Sequence, residues 1–170
     1  MTLSCNKPQS SNEETAVRCL NRKGIPILEY IPAEIKKLED GYYAYMHAPT
    51  SEFFSNPIPA DYEVEITSRA FRKNMKCLHI VEEIIANDQS PRCNMHFDFV
   101  LFEVKNGKRR NERYLEVNGY QHEDDQSFGP VSTAECLISD AIKEAWGAKF
   151  FKQSTKFWDE FLTYLDKYKK

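Results

Sequence analysis

The sequence predicts an α/β (α+β) fold: a mixed central sheet flanked by helices, with core elements in the order helix, strand, hairpin, helix, strand, and a closing helix. Three observations predict it. Asn106-Gly107 lies between two apolar strand-like runs, and this pair tolerates positive φ at both turn positions, so His96 to Val117 pairs as an antiparallel hairpin. Capping boxes at Ser11–Glu14 and Ser132–Glu135 open amphipathic runs on either side of that hairpin. Ala148 to Lys152 then follows the second helix as a short apolar run, and strand–helix–strand implies a right-handed parallel crossover.

Taken in order, residues 1–10 are polar and unpatterned and are expected to be disordered. Ser11 is the N-cap and Glu14 the N3 residue of a first helix whose apolar face holds Val17 and Leu20 and which Gly24 ends. Ile25 to Ile31 reads as a strand, Ala33 to Glu39 as a short helix, and Gly41 to Ala48 as a Tyr-rich strand. Pro49, Pro57 and Pro59 mark a loop, after which Tyr62 to Thr67 alternates as a strand. Ser68 caps a long helix to about Asn87, with Phe71, Met75, Leu78, Ile80, Val81, Ile84 and Ile85 mostly inward. Residues 32–92 thus form an insert between the first strand and the hairpin, fit for substrate recognition, dimerisation or scaffolding. Glu123 to Pro130 is an acidic loop. The second capped helix runs through Leu137, Ile138, Ala141, Ile142 and Ala145 to Gly147. Ser154 or Thr155 opens the last helix, with Phe157, Trp158, Phe161, Leu162 and Leu165 on its apolar face.

At 170 residues and 41% hydrophobic content the chain can bury one good core, so residues 11–170 are expected to form one domain. A net charge of −3 and a pI near 5.9 carry no global nucleic-acid signature, so any basic surface must be local. No apolar run approaches the ~20 residues that span a bilayer, and the polar start lacks a signal-peptide h-region. Five cysteines, an odd number without close pairing, favour reduced thiols and a cytoplasmic or nuclear location. Zinc at Cys77, His79, Cys93 and His96 is disfavoured, because residues two apart on a helix point roughly 200° from each other.

Each hairpin strand carries an acid where a core strand would rather have none. Asp98 sits among Phe97, Phe99 and Val100, and Glu116 between Leu115 and Val117. A buried carboxylate needs a partner or a metal, and two converging near one end of paired strands make a hard oxygen site suited to Mg²⁺ or Mn²⁺. The blander alternative pairs Asp98 with an arginine and Glu116 with a cross-strand cation. The hairpin also concentrates Lys105, Lys108, Arg109, Arg110 and Arg113. These either neutralise phosphates of a nucleic acid or simply keep the turn in water.

Asp98-Phe99-Val100-Leu101, a gap, and then Leu115-Glu116-Val117-Asn118-Gly119-Tyr120-Gln121-His122 resembles the core of the PD-(D/E)xK nuclease superfamily, nearest to its very-short-patch-repair-like branch. The resemblance implies a restriction-endonuclease-like αβββαβ core and metal-dependent hydrolysis of DNA or RNA phosphodiesters. It implies Asp98 and Glu116 as ligands of Mg²⁺ or Mn²⁺, with the Val117 carbonyl as a third. It makes Glu14, on the first helix, a ligand or water-orienting residue unless it only caps. The departure is Asn118, where the pattern has a lysine or a second acid. Asn is neither cation nor base. Lys143 on the following helix, or Gln121 and His122, then take the missing role, with His122 as general base or proton donor. If none does, catalysis is lost, and the chain is an inactive nucleic-acid-binding module of the same fold or a protein-interaction scaffold. A homodimer or larger complex is compatible with either.

Overall fold

In a computed structural model the residues described are 11–29, 32–54, 58–71, 78–87, 95–117, 130–152 and 154–170. The elements are α1 (Ser11–Arg22), β1 (Ile27–Leu28), β2 (Gly41–Pro49), α2 (Ala60–Phe71), α3 (Leu78–Ala86), β3 (His96–Lys105), β4 (Lys108–Glu116), α4 (Pro130–Ala145), β5 (Lys149–Phe150) and α5 (Phe157–Tyr168). Short 3-10 helices cover Pro32–Lys37 and Thr50–Glu52. The fold is α+β, with a five-stranded sheet in the order β1-β2-β3-β4-β5, flanked by helices. The sheet is mixed: β1 runs parallel to β2, β3 antiparallel to β4, and β4 parallel to β5. Among the described residues no helix is long and apolar enough to cross a membrane.

The chain divides into two compact units: Met1–Ala48, His96–Gly119 and Lys149–Lys170, and then Pro49–Met95 and Tyr120–Ala148. The first holds all five strands with α1 and α5. Helix α1 turns Ala16, Cys19 and Leu20 inward, and α5 turns in Phe157, Phe161 and Leu165, the four-residue spacing of one helix face. They close on Phe99, Leu101, Leu115 and Val117 of the hairpin strands. Phe151 joins them edge-on to Phe161, ring centroids 5.1 Å apart. Asn106 and Gly107 sit at φ 54° and 74°, the doubly positive turn that the pair predicts, and the Asn106 N–H donates to the Asp40 carboxylate at 2.9 Å.

In the second unit α2, α3 and α4 share a core of Ile66, Phe71, Val81, Ile84, Ile85, Leu137, Ile138 and Ile142. Phe54 stacks flat on Trp146 there, centroids 4.8 Å apart.

Four expectations change. Tyr62 to Thr67 is not a strand but lies inside α2, which buries Glu63, Ile66, Thr67 and Phe71 and leaves Tyr62 exposed. That is the helical spacing i, i+3, i+4, i+8, and the local alternation of β-branched residues is overridden by packing. Ser68, expected as a cap, is therefore interior to α2. Of the strand expected at Ile25–Ile31, the described residues 25–29 show only the two residues of β1, and residues 30 and 31 lie outside the described ones. The helix expected from Ser132 starts at Pro130, whose fixed φ and missing N–H suit a first turn. Finally, residues 32–92 are not a simple insert, because β2 lies within them and is hydrogen-bonded into the sheet between β1 and β3.

The packing sets two expected outcomes. Phe161 is fully buried, so Phe161→Ala should cost about 3–5 kcal/mol in chemical denaturation. Burial pushes the Cys19 thiol from 9.0 up to about 11, and burial aided by Glu112 pushes the Tyr114 phenol from 10.0 up to about 12. Tyr45, Tyr164 and Tyr168 move upward for the same reason. The folded chain holds these protons more tightly than the unfolded one, so their contribution is intact below pH 9 and is lost as pH rises toward 11 and 12. An alkaline titration should show tyrosinate absorbance lagging a free-tyrosine control and appearing together with loss of helical circular dichroism.

Candidate functional site

One end of the β3–β4 ladder supplies the site. The last registered pair there is Phe99 with Leu115. Beyond it the side chains take over: the Asp98 N–H donates to Glu116 Oε2 at 2.8 Å, and the Val117 N–H donates to Asp98 Oδ2 at 2.9 Å. Each acid thus accepts from the backbone of the opposite strand. Glu116 is buried and Asp98 half-buried, and charge-assisted acceptance of this kind offsets part of their desolvation. From the other side β5 holds the same residue, since Phe151 N–H donates to the Glu116 carbonyl at 2.8 Å.

Helix α1 adds two side chains. Its buried stripe of Ala16 and Leu20, projected back three and four residues, meets Glu13 and Asn12, and both are buried. Asn12 Nδ2 donates to the Val117 carbonyl at 2.7 Å. Glu13 Oε1 meets His47 Nε2 of β2 at 2.5 Å, both groups shielded from solvent. His47 has φ +58°, a left-handed backbone inside a strand and unfavourable by about 1–2 kcal/mol for a residue with a Cβ. Such strain persists where surrounding contacts hold it, and it clusters at functional sites. Glu13, His47 and Asp98 each offer one ligand atom, and these atoms all lie within 4.8 Å of one another. Two carboxylate oxygens and an imidazole nitrogen make a donor set that a first-row divalent ion accepts.

The expected site residues fall in different places. Asp98 and Glu116 come together. The Val117 carbonyl is adjacent and accepts from Asn12. Glu14, the expected helix acid, is exposed, and the acid that reaches the group is Glu13, one residue and about 100° earlier on the helix. Lys143 is buried on α4 in the second unit. Asn118, Gln121 and His122 lie outside the described residues. His47 was missed, since a single histidine in a Tyr-rich strand carries no spacing signal. Glu13 and Asn12 are legible in principle from the helical stripe, whereas the capping box marks Glu14.

The hairpin cations are partly spoken for. Arg109 pairs with Glu112 at 2.7 Å and lies over the rings of Tyr45 and Phe102. Arg110 pairs with Glu103 at 3.1 Å, and Arg113 donates to the Glu112 carbonyl and covers Tyr168. Lys105 and Lys108 are exposed.

Comparison with protein-family models, curated proteins and solved structures finds no match to this chain.

The geometry separates two neighbouring acids. Replacing Glu13 or His47 by Ala removes one member of a buried pair and should cost about 2–4 kcal/mol. Glu14→Ala, on the exposed face, should stay within about 0.5 kcal/mol. Urea unfolding of the three variants checks the ranking, and an equal cost at Glu14 would contradict it.

Proposed function

We propose that this chain is a metal-dependent nuclease of the PD-(D/E)xK type, hydrolysing phosphodiester bonds of DNA or RNA inside the cell. The observation that carries the reading is the meeting of Asp98 and Glu116 at the open end of the β3–β4 ladder, with Glu13 and His47 brought in from two other elements. The order α1, β2, β3, β4, α4, β5 supports it, being helix, three strands, helix, strand. Asp98 would hold the ion, with Glu116 beside it and with Glu13 and His47 completing the donor set. A bound divalent ion polarises the phosphoryl oxygen and makes its water a better nucleophile. The imidazole tilts the choice toward Mn²⁺ over Mg²⁺, because nitrogen donors suit the transition ions. Asn12 fixes the Val117 carbonyl, and the backbone contacts of Asp98 and Glu116 keep both acids in place.

A second reading, a non-catalytic nucleic-acid-binding module or interaction scaffold, is favoured by the same contacts. Both acids already accept backbone hydrogen bonds, Glu13 already meets His47, and Asn118 stands where the motif has its lysine.

Thermal unfolding with Mn²⁺ separates the two. Metal at a hundredfold excess over Kd should raise the melting temperature by roughly 5–10 °C. Asp98→Asn and Glu116→Gln should abolish both that shift and Mn²⁺-dependent cleavage of labelled DNA and RNA. If Mn²⁺ leaves the wild-type transition where it is, the nuclease reading fails and the binding module takes its place.

A further inference from the structure

We propose that a lysine-edged groove between β5 and α5 is the track for a single-stranded nucleic acid, leading its phosphate backbone toward the strand that carries Glu116. The groove has a volume of about 880 Å³, at the large end of ligand sites, and so has room for a stretch of chain rather than one ion. It belongs wholly to the first unit.

Four lysines line it: Lys149, Lys152, Lys156 and Lys167, all exposed. Among the described residues none of them is ion-paired, which sets them apart from Arg109 and Arg110 of the hairpin. Lys149 is held at the wall by its ammonium lying 5.5 Å from the centre of the Phe151 ring. Helix α5 starts beside them at Phe157, and the acids of its first turn, Asp159 and Glu160, offset the positive end of its dipole. Asp159 and Glu160 also line the groove, so its described lining carries four cations against two acids.

Phe150 and Tyr164, both half-buried, add aromatic surface to the same lining, Tyr164 with its ring edge-on to Phe151. Cations that follow a backbone, interleaved with aromatic rings that accept bases, are what single strands bind; in a duplex the bases are stacked away. Position makes the track useful. Phe150 is in register with Glu116, and Phe151 N–H bonds its carbonyl, so the groove begins one strand away from the candidate acid. The proposal deepens the nuclease reading and rests on it for the direction of the strand, while the binding itself needs no metal.

Anisotropy of a labelled single-stranded oligonucleotide, measured in EDTA over a range of salt, tests it. The variant with Lys149, Lys152, Lys156 and Lys167 all changed to Gln should keep the wild-type melting temperature and its Mn²⁺ shift. It should bind at least tenfold more weakly, with a salt slope smaller by about 3. Lys105→Gln with Lys108→Gln should weaken binding less than threefold. If the groove variant binds within threefold of wild type, if the wild type does not bind, or if duplex or inorganic polyphosphate binds as tightly as the single strand, the track is overturned. If the groove variant loses binding while Mn²⁺ stabilises no form of the chain, the track stands and the nuclease reading alone falls.

Discussion

The two hydrogen bonds in which the Asp98 N–H donates to Glu116 and the Val117 N–H donates to Asp98 are the constraint on which the first unit depends. Two paired strands that part company leave backbone N–H groups facing each other's side chains, and here each strand answers with a carboxylate. An acid in this position is costly unless it accepts from a well-placed donor, and a donor is costly unless accepted. The two needs cancel. Neighbouring elements are then fitted to the same point: α1 through Asn12 on the Val117 carbonyl, and β5 through Phe151 on the Glu116 carbonyl. Glu13 and His47 complete the ring of polar groups around Asp98. An arrangement held in this way is preorganised, which both a metal site and a structural staple require.

Charge is divided by type as well as by place. The guanidinium groups of Arg109 and Arg113 lie over aromatic rings and bond locally, as planar, weakly hydrated cations do well. The lysines of the β5–α5 groove remain in water, where a compact ammonium is best solvated. A density of positive residues in sequence therefore marks the hairpin, yet much of its charge is consumed in building the fold. The groove lysines are spread from residue 149 to residue 167 and become one surface because β5 and α5 lie side by side.

The hairpin was legible because its signals are local: a two-residue turn with special φ, and apolar runs on both sides. The helices at both ends of the first unit followed from a spacing of three to four residues, which holds whatever they pack against. Tyr62 to Thr67 misled because six residues fit both periods, and the burial of Glu63 and Ile66 against neighbouring helices settles which one holds. Strand β2 is legible as a strand but its place between β1 and β3 is not, since nothing in a sequence says which edge a strand joins.

By itself the sequence determined the doubly positive turn, the α+β class, and the presence of two acids in apolar strands, because each follows from neighbours along the chain. The tertiary structure alone decided that Glu13 and not Glu14 lies beside Asp98, and that His47 joins them from β2. It also decided that, among the described residues, Arg109 and Arg110 are ion-paired while the groove lysines are not. These are contacts between residues 34 to 105 positions apart, or choices between adjacent faces of one helix. Packing makes such choices, because burying one side of α1 against the sheet selects which side chains leave water.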